Sequence, residues 1–279
     1  MNRTGADGMT LYNRCDIHTH TLFSGHAYST INENVQASAA AGLELLGSTD
    51  HFSAMLFPDY RSGKNYQYLF SVKDWPRAWS GITVLRGVEA DIVDPEGNLF
   101  GEDILLEKRI NGGAYKEGKK PNLYGMVTRN LDYVIASIHG KEFTRDMTQA
   151  QNTQMYLNAL RRPEVFMLGH IGRTGLDIDI DEIILASKEL KKPIEINEHS
   201  FHFPDSGIDS RCRRIAERCA ELGESVAVST DAHICCNVGI VSQTLKMLEE
   251  IHFPQELIVT KDKETFLHAL KEAVGTFRL

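Results

Sequence analysis

With 279 residues, 42% hydrophobic and 24% charged, the chain fits one large globular domain over residues 1–279, since α/β barrels run to about 200–250 residues as a unit. Its net charge of −8 argues against a nucleic-acid partner, which calls for a basic face, but a metal cluster's local field still admits an anionic substrate. No run approaches the ~18 apolar residues of a membrane span, and Met1 to Asn13 lacks a signal-peptide core. The five cysteines (Cys15, Cys212, Cys219, Cys235, Cys236) form no CxxC pair, so they read as free thiols in a reducing cytoplasm.

In chain order, short apolar runs at Thr10–Ile17, Leu43–Ser48, Ile82–Val88, Tyr133–Ser137, Val165–Gly169, Pro193–Ile196 and Ser225–Ser229 predict buried strands. Between and after them, Asn34–Ala41, Gln149–Arg161, Asp181–Lys191, Ser210–Leu222, Val241–Glu250 and Glu264–Ala273 read as helices, with a further short strand near Ile258. Such alternation implies parallel strands joined by crossover helices. Two stretches, Phe57–Tyr68 and Glu107–Gly125, read as solvated loops, with a lid or specificity loop as the functional alternative. The chain carries no internal repeat and no low-complexity tract.

Six of the seven principal strands end in a polar motif. The motifs are Asp16-Ile17-His18-Thr19-His20 (with His26-Ala27-Tyr28-Ser29-Thr30 close behind), Thr49-Asp50-His51, Gly87-Val88-Glu89-Ala90-Asp91, Ile138-His139-Gly140, Leu168-Gly169-His170 and Thr230-Asp231-Ala232-His233. They hold seven of the eleven histidines, plus Glu89 and Asp231. One ion takes only three or four protein ligands, so this set implies two or three ions and hydrolytic chemistry. His18 and His20, two apart, point to one face of a strand, and Asp231 and His233 repeat the geometry. The ligands converge only if the strands surround a common axis. That favours a barrel over an open sheet, with its site at the strand C-termini. Glu89 is placed to bridge two ions, and Asp16 to orient a ligating imidazole. His199 and His202 follow the sixth strand on the same side and are candidate substrate contacts. His252 and His268 fall near or on C-terminal helices and read as structural.

Together these motifs resemble the PHP (polymerase and histidinol phosphatase) family over essentially the whole chain. The His26-Ala27-Tyr28-Ser29-Thr30 stretch is similar to its YcdX-like subgroup of stand-alone hydrolases. The resemblance implies a distorted (β/α)7 TIM-like barrel with a metal cluster at the strand C-terminal ends, holding three divalent ions (zinc, or manganese or iron). It further implies that His18, His20, Glu89 and Asp231 bind the first ion. Glu89 bridges to a second ion on His139 and His170, while His26, His51 and His233 hold the third. All nine positions carry the expected residue type.

The expected reaction is hydrolysis of a small phosphorylated substrate, a phosphomonoester, by a metal-bridging hydroxide. Glu89, Asp231, Asp16 and His199 are the catalytic candidates, with His199 a candidate general acid. Arg173, Lys141 and Arg145 are the cationic candidates for the phosphate, and His202 a further contact. A histidinol-phosphate phosphatase is the alternative within the family. An amidohydrolase, which also opens with an HxH strand, or a metal-storage module stands further off. Cys235-Cys236, close behind His233, reads as a buried thiol pair.

Overall fold

The computed structural model describes residues 11–203 and 207–275. Its strands are β1 (Cys15–Thr19), β2 (Leu45–Ser48), β3 (His51–Phe52), β4 (Ala78–Trp79), β5 (Ile82–Asp91), β6 (Tyr133–Ser137), β7 (Val165–Leu168), β8 (Ile194–Asn197) and β9 (Val226–Ser229). Every residue of β1, β2 and β6 to β9 is buried, as strands covered on both faces require. Parallel ladders run in the order β1-β2-β5-β6-β7, and β8 pairs parallel with β9. The second pair returns to the first strand. Asp231 N–H donates to His18 O at 2.8 Å and His20 N–H to Ala232 O at 2.9 Å, just past the end of β9. The parallel sheet therefore curls into a distorted, partly open barrel. Its seam lies between β7 and β8, where no ladder forms among the described residues.

The seven expected strands are these seven, with shifted limits. Thr10, the expected start of the first, lies outside the described residues. Leu11 and Tyr12 spend their N–H groups on the side chains of Glu249 and Gln255, so the ladder begins only at Cys15. No strand forms near Ile258, which makes a single bridge to Val226 between two 3₁₀ turns. The short β3 and β4, unforeseen, pair onto β5.

The helices are α1 (Ile31–Ala40), α2 (Gln67–Phe70), α3 (Leu123–Thr128), α4 (Gln149–Leu160), α5 (Ile171–Thr174), α6 (Ile180–Leu190), α7 (Ile208–Leu222), α8 (Ser242–Glu250) and α9 (Lys263–Val274). α1 starts ahead of the expected Asn34 because Thr30 and Glu33 form a reciprocal capping box. Neither expected loop is plain coil. Phe57–Tyr68 contains a 3₁₀ turn and the start of α2, with Tyr66 buried against Phe52 and Phe57. Glu107–Gly125 runs through an antiparallel bridge, Lys108 to Ala114, into the first residues of α3.

Tyr133 packs across the barrel interior. Its hydroxyl donates to Ile17 O at 2.6 Å, and its side chain occupies the space that a Cβ on Gly47 or Gly87 would need. Cys15, Ile17, Leu45, Phe166 and, from α9, Phe266 and Leu270 share its cluster. This packing makes an apolar floor beneath the strand ends.

One buried carboxyl away from the strand ends gives a pH signature. Glu224, in the α7–β9 connection, is pushed up to about 7 by burial, against weaker opposition from Ser225 and Lys188. A raised folded pKa means that the folded state holds an extra proton between about pH 4.5 and 7. That stability is complete below pH 4.5 and lost as pH rises through 7. Glu224→Gln keeps the neutral shape at every pH. Its melting temperature is expected to exceed the parent's at pH 8, by up to about 3 kcal/mol in stability, and to match it at pH 4. Thermal unfolding across that range is the measurement, and a gap that does not change with pH refutes the assignment.

Candidate metal centre

The strand ends bring the histidines around one carboxylate. Glu89, fully buried near the end of β5, lies 2.8 Å from His170 Nε2, 2.7 Å from His51 Nδ1, 3.4 Å from His18 Nε2, 3.6 Å from His20 Nε2 and 3.7 Å from His139 Nε2. Asp231, just beyond β9, faces the same centre from the other side, 3.0 Å from His20 Nε2 and 3.6 Å from His18 Nε2. His26 is exposed, and its ring stacks 5.0 Å from His51 and 4.6 Å from His233.

Two of these residues need an unusual backbone. His170 (φ +32°) and Asp231 (φ +56°) are left-handed, which costs a non-glycine residue about 1–2 kcal/mol. Each turns the chain sharply at the end of its strand. Strain held at a cluster of titratable groups points to function.

The far side of four of the rings is fixed by a hydrogen bond. His18 Nδ1–H donates to Glu195 at 2.7 Å and His139 Nδ1–H to Asp91 at 2.6 Å. Ser24 gives its proton to Asp50 at 2.7 Å, so its oxygen accepts from His20 Nδ1–H at 2.9 Å. His233 Nδ1–H donates to its neighbour carbonyl, Asp231 O, at 2.9 Å. A proton fixed on Nδ1 leaves Nε2 as a bare lone pair aimed inward, the usual preparation of an imidazole ligand.

Those inward atoms have no protein partner in hydrogen-bonding geometry. His18 Nε2, His20 Nε2, both ring nitrogens of His51, Glu89 Oε2, His170 Nδ1, Asp231 Oδ1 and His233 Nε2 are all buried and unpaired. Buried polar atoms are nearly always paired, so this concentration of donor atoms fits a site that binds cations. Ligand atoms within 4.8 Å of one another fall into three overlapping sets: His18, His20 and Asp231; His51, Glu89 and His139; and His20, His51 and His233. Imidazole with carboxylate suits zinc, manganese or iron. His51 thus stands nearer to Glu89 and His139 than the expected grouping has it, while His26 and His170 flank the sets from outside.

Electrostatics agree with this reading. Burial raises the Glu89 carboxyl, but His139, His18, His51 and the His170 hydrogen bond together hold it well below the usual range. Asp231, likewise raised by burial, is brought well below its range by His18, Arg173 and His20.

Above the cluster opens a cavity of about 410 Å³, lined by His26, His51, His139, Arg173, His199, Phe203, Asp231 and His233. Arg173 Nη2 donates to Asp231 Oδ2 at 2.8 Å, and its Nη1 is buried without a partner. His199 is lowered to about 4 by burial and by Arg173, His233 and His202, against Asp231. The charged imidazolium form is thereby disfavoured.

The other sequence candidates are not brought into the cavity. Lys141 is tied to Thr174 O at 2.8 Å. Arg145 is exposed at the end of a 3₁₀ turn. His202 packs its ring 5.3 Å from His199 and does not line the cavity. Asp16 does not orient an imidazole. It accepts from Thr230 N–H, Thr230 Oγ1 and Gly239 N–H, and so anchors the loop that carries Asp231 and His233. Cys235 and Cys236 are not a buried pair, since Cys235 is half-buried and Cys236 exposed.

Sequence reasoning missed Glu195. It is almost wholly buried on β8, the strand without a ligand motif, and accepts from His18, from His170 N–H and, at 2.6 Å, from Ser229. A glutamate inside an apolar strand was the available signal, because a buried charge demands partners.

A family model described as PHP domain matches residues 16–199. A Caldanaerobacter subterraneus protein named "Probable phosphatase" is 35% identical over 257 residues, 92% of this chain and 91% of its own. A Clostridium botulinum protein of the same name is 34% identical over 256 residues, 92% and 93% of the two chains. Among solved structures, the histidinol phosphate phosphatase of Lactococcus lactis, complexed with zinc, L-histidinol and phosphate, superposes with a TM-score of 0.52. It is 18% identical, with 87% of this chain and 95% of that one covered. At that identity the likeness is one of fold.

Proposed function

The chain belongs to the PHP domain family, and from that premise we propose that it is a metal-dependent phosphatase cleaving small phosphomonoesters at a centre of three divalent ions. The observation that carries this reading is the set of buried, unpaired ligand atoms converging on Glu89 and Asp231. The donor set suits zinc, with manganese or iron as alternatives. His18, His20 and Asp231 would hold one ion, His139 and His170 with Glu89 another, and His26, His51 and His233 the third. Ions so held supply a water of lowered pKa and withdraw charge from phosphoryl oxygens.

The chain's own side chains do the rest. The unpaired Nη1 of Arg173 binds a phosphate oxygen while Nη2 keeps Asp231 in place. Neutral His199 offers a hydrogen bond at the cavity wall. In the overall reaction water adds its oxygen to phosphorus, the bond from phosphorus to the alcohol oxygen breaks, and the alcohol leaves with a proton from water. Free thiols support a cytoplasmic setting, and among the described residues no helix is long and apolar enough to cross a membrane.

The test is phosphate release from a panel of phosphomonoesters, histidinol phosphate included, by protein reconstituted separately with zinc and with manganese. Release that disappears on chelation and returns with metal is expected. A strong lead for histidinol phosphate over every other ester selects the alternative within the family. No release from protein shown to carry its metals overturns the proposal.

A further inference from the structure

Exposed apolar side chains lie on the segments that follow the cavity's histidines. Among the described residues thirteen large hydrophobic side chains are exposed. Six of them, Leu22, Phe23, Tyr28, Met55, Phe203 and Ile234, lie within four residues after a histidine of the metal cluster or after His199. Large exposed apolar groups gathered around a cleft mark a binding surface rather than ordinary surface scatter.

Backbone and ring contacts link the segments that carry the six into one collar, of which Phe203 lines the cavity itself. Leu22 N–H donates to Ser29 O at 2.9 Å, and Tyr28 N–H to His233 O at 2.7 Å. These bonds set the His20–Ser29 loop beside Ile234. Phe23 stacks flat on Tyr68 at 4.3 Å, and the turn carrying Met55 abuts Gly25 through Leu56. Across the opening, Phe203 packs on His199 at 5.3 Å, and His199 lies 5.9 Å from His233. Phe203 also lines the cavity itself, so the collar is continuous with the site.

What the mouth lacks is equally informative. Arg173 is the one cationic side chain lining the cavity among the described residues, and Asp231 the one carboxylate. Both are already committed, to the phosphate and to metal in the reading above. A substrate with a second phosphate would find no second lysine or arginine lining the cavity among the described residues.

We propose that the collar binds the alcohol portion of the substrate and that this portion is apolar, making the substrate an alkyl or arylalkyl phosphomonoester. This rests on the phosphatase reading and narrows it.

The experiment compares hexyl and 3-phenylpropyl phosphate with glycerol 1-phosphate, whose leaving groups are all primary alcohols, on the metal-loaded full chain. In parallel, calorimetry measures binding of hexylphosphonate and methylphosphonate, which cannot be hydrolysed. The expected kcat/KM and affinity ratios are about ten-fold or more in favour of the apolar compounds, as burying roughly 60 Å² of apolar surface gives. Tyr28→Ser with Phe203→Ser should collapse both ratios toward unity. Melting temperature verifies that the double variant stays folded, and Tyr28→Ser alone, at a side chain 74% exposed, should lower both ratios in the same direction. Equal turnover of all three esters overturns the apolar assignment and leaves the phosphatase standing. Preferential hexylphosphonate binding without turnover of any ester keeps the collar and sinks the phosphatase. A dimer that dissociates in the double variant, with no change in either ratio, assigns the collar to a second copy and overturns the proposal.

Discussion

Glu89→Gln is expected to strip the protein of most of its metal and to lower phosphate release by about 10³-fold, the several kcal/mol that metal ions contribute to phosphoryl transfer. Glutamine keeps the size of the side chain and one acceptor, so Ser137, which donates to Glu89 Oε1 at 2.6 Å, retains a partner. What disappears is the negative charge at the meeting point of His18, His20, His51, His139 and His170. Without it the ligand set keeps a single carboxylate, Asp231, which Arg173 already half neutralises. The ion proposed on His139 and His170 would then sit among neutral imidazoles with its own charge uncompensated. Metal per chain, measured by elemental analysis after gel filtration, and phosphate release with added metal are the two readouts. Full turnover by a metal-replete Glu89→Gln protein would remove Glu89 from its bridging role.

The candidate ligands that the strand ends bring together, His18, His20, His51, Glu89, His139, Asp231 and His233, stand out in the sequence because the parallel barrel concentrates its chemistry at one end of each strand. An apolar run followed by His or Asp is a local signal for that arrangement. The groups that hold the ligands were not legible, because their partners are distant in sequence. Asp50 sits inside a motif, yet it serves His20 through Ser24, 26 residues away. Glu195 serves His18 across 177 residues. Asp16 has the right spacing to face His18, but its strand neighbour is the loop at Thr230, which captures both its oxygens. Lys141 and Arg145 follow His139 as closely as Arg173 follows His170. Only Arg173 reaches the cavity, because α5 begins immediately at Ile171 and carries it over Asp231, whereas Lys141 closes the far end of that same helix at Thr174. Spacing along one strand is readable from sequence, while the seam between β7 and β8 and everything that spans it is tertiary.

Glu195 spans that seam, which predicts the second large effect. Its two oxygens accept from three donors: His18 Nδ1–H and Ser229 Oγ–H on one, His170 N–H on the other. Glutamine has a single acceptor oxygen. Turned toward His18 and Ser229, it presents its NH₂ to the His170 N–H and leaves that buried donor unpaired, at a cost of about 1–3 kcal/mol. Alanine leaves all three donors unpaired and frees the His18 ring to rotate. A partner that orients a metal-bound histidine is worth about 10–100-fold in metal affinity. Glu195→Gln is therefore expected near the low end of that range and Glu195→Ala near the high end. Both should release metal at lower chelator concentration than the parent. Saturating metal should restore most of the turnover of Glu195→Gln, because the ligands themselves are intact, and that recovery separates it from Glu89→Gln, where a ligand is lost. If Glu195 only closed the barrel, both variants would melt earlier while releasing metal at the parent's chelator concentration. The missing ladder between β7 and β8 argues otherwise. The bond to His170 crosses the seam beside a left-handed ligand residue, so the same carboxylate that closes the barrel sets the position of two of its imidazoles.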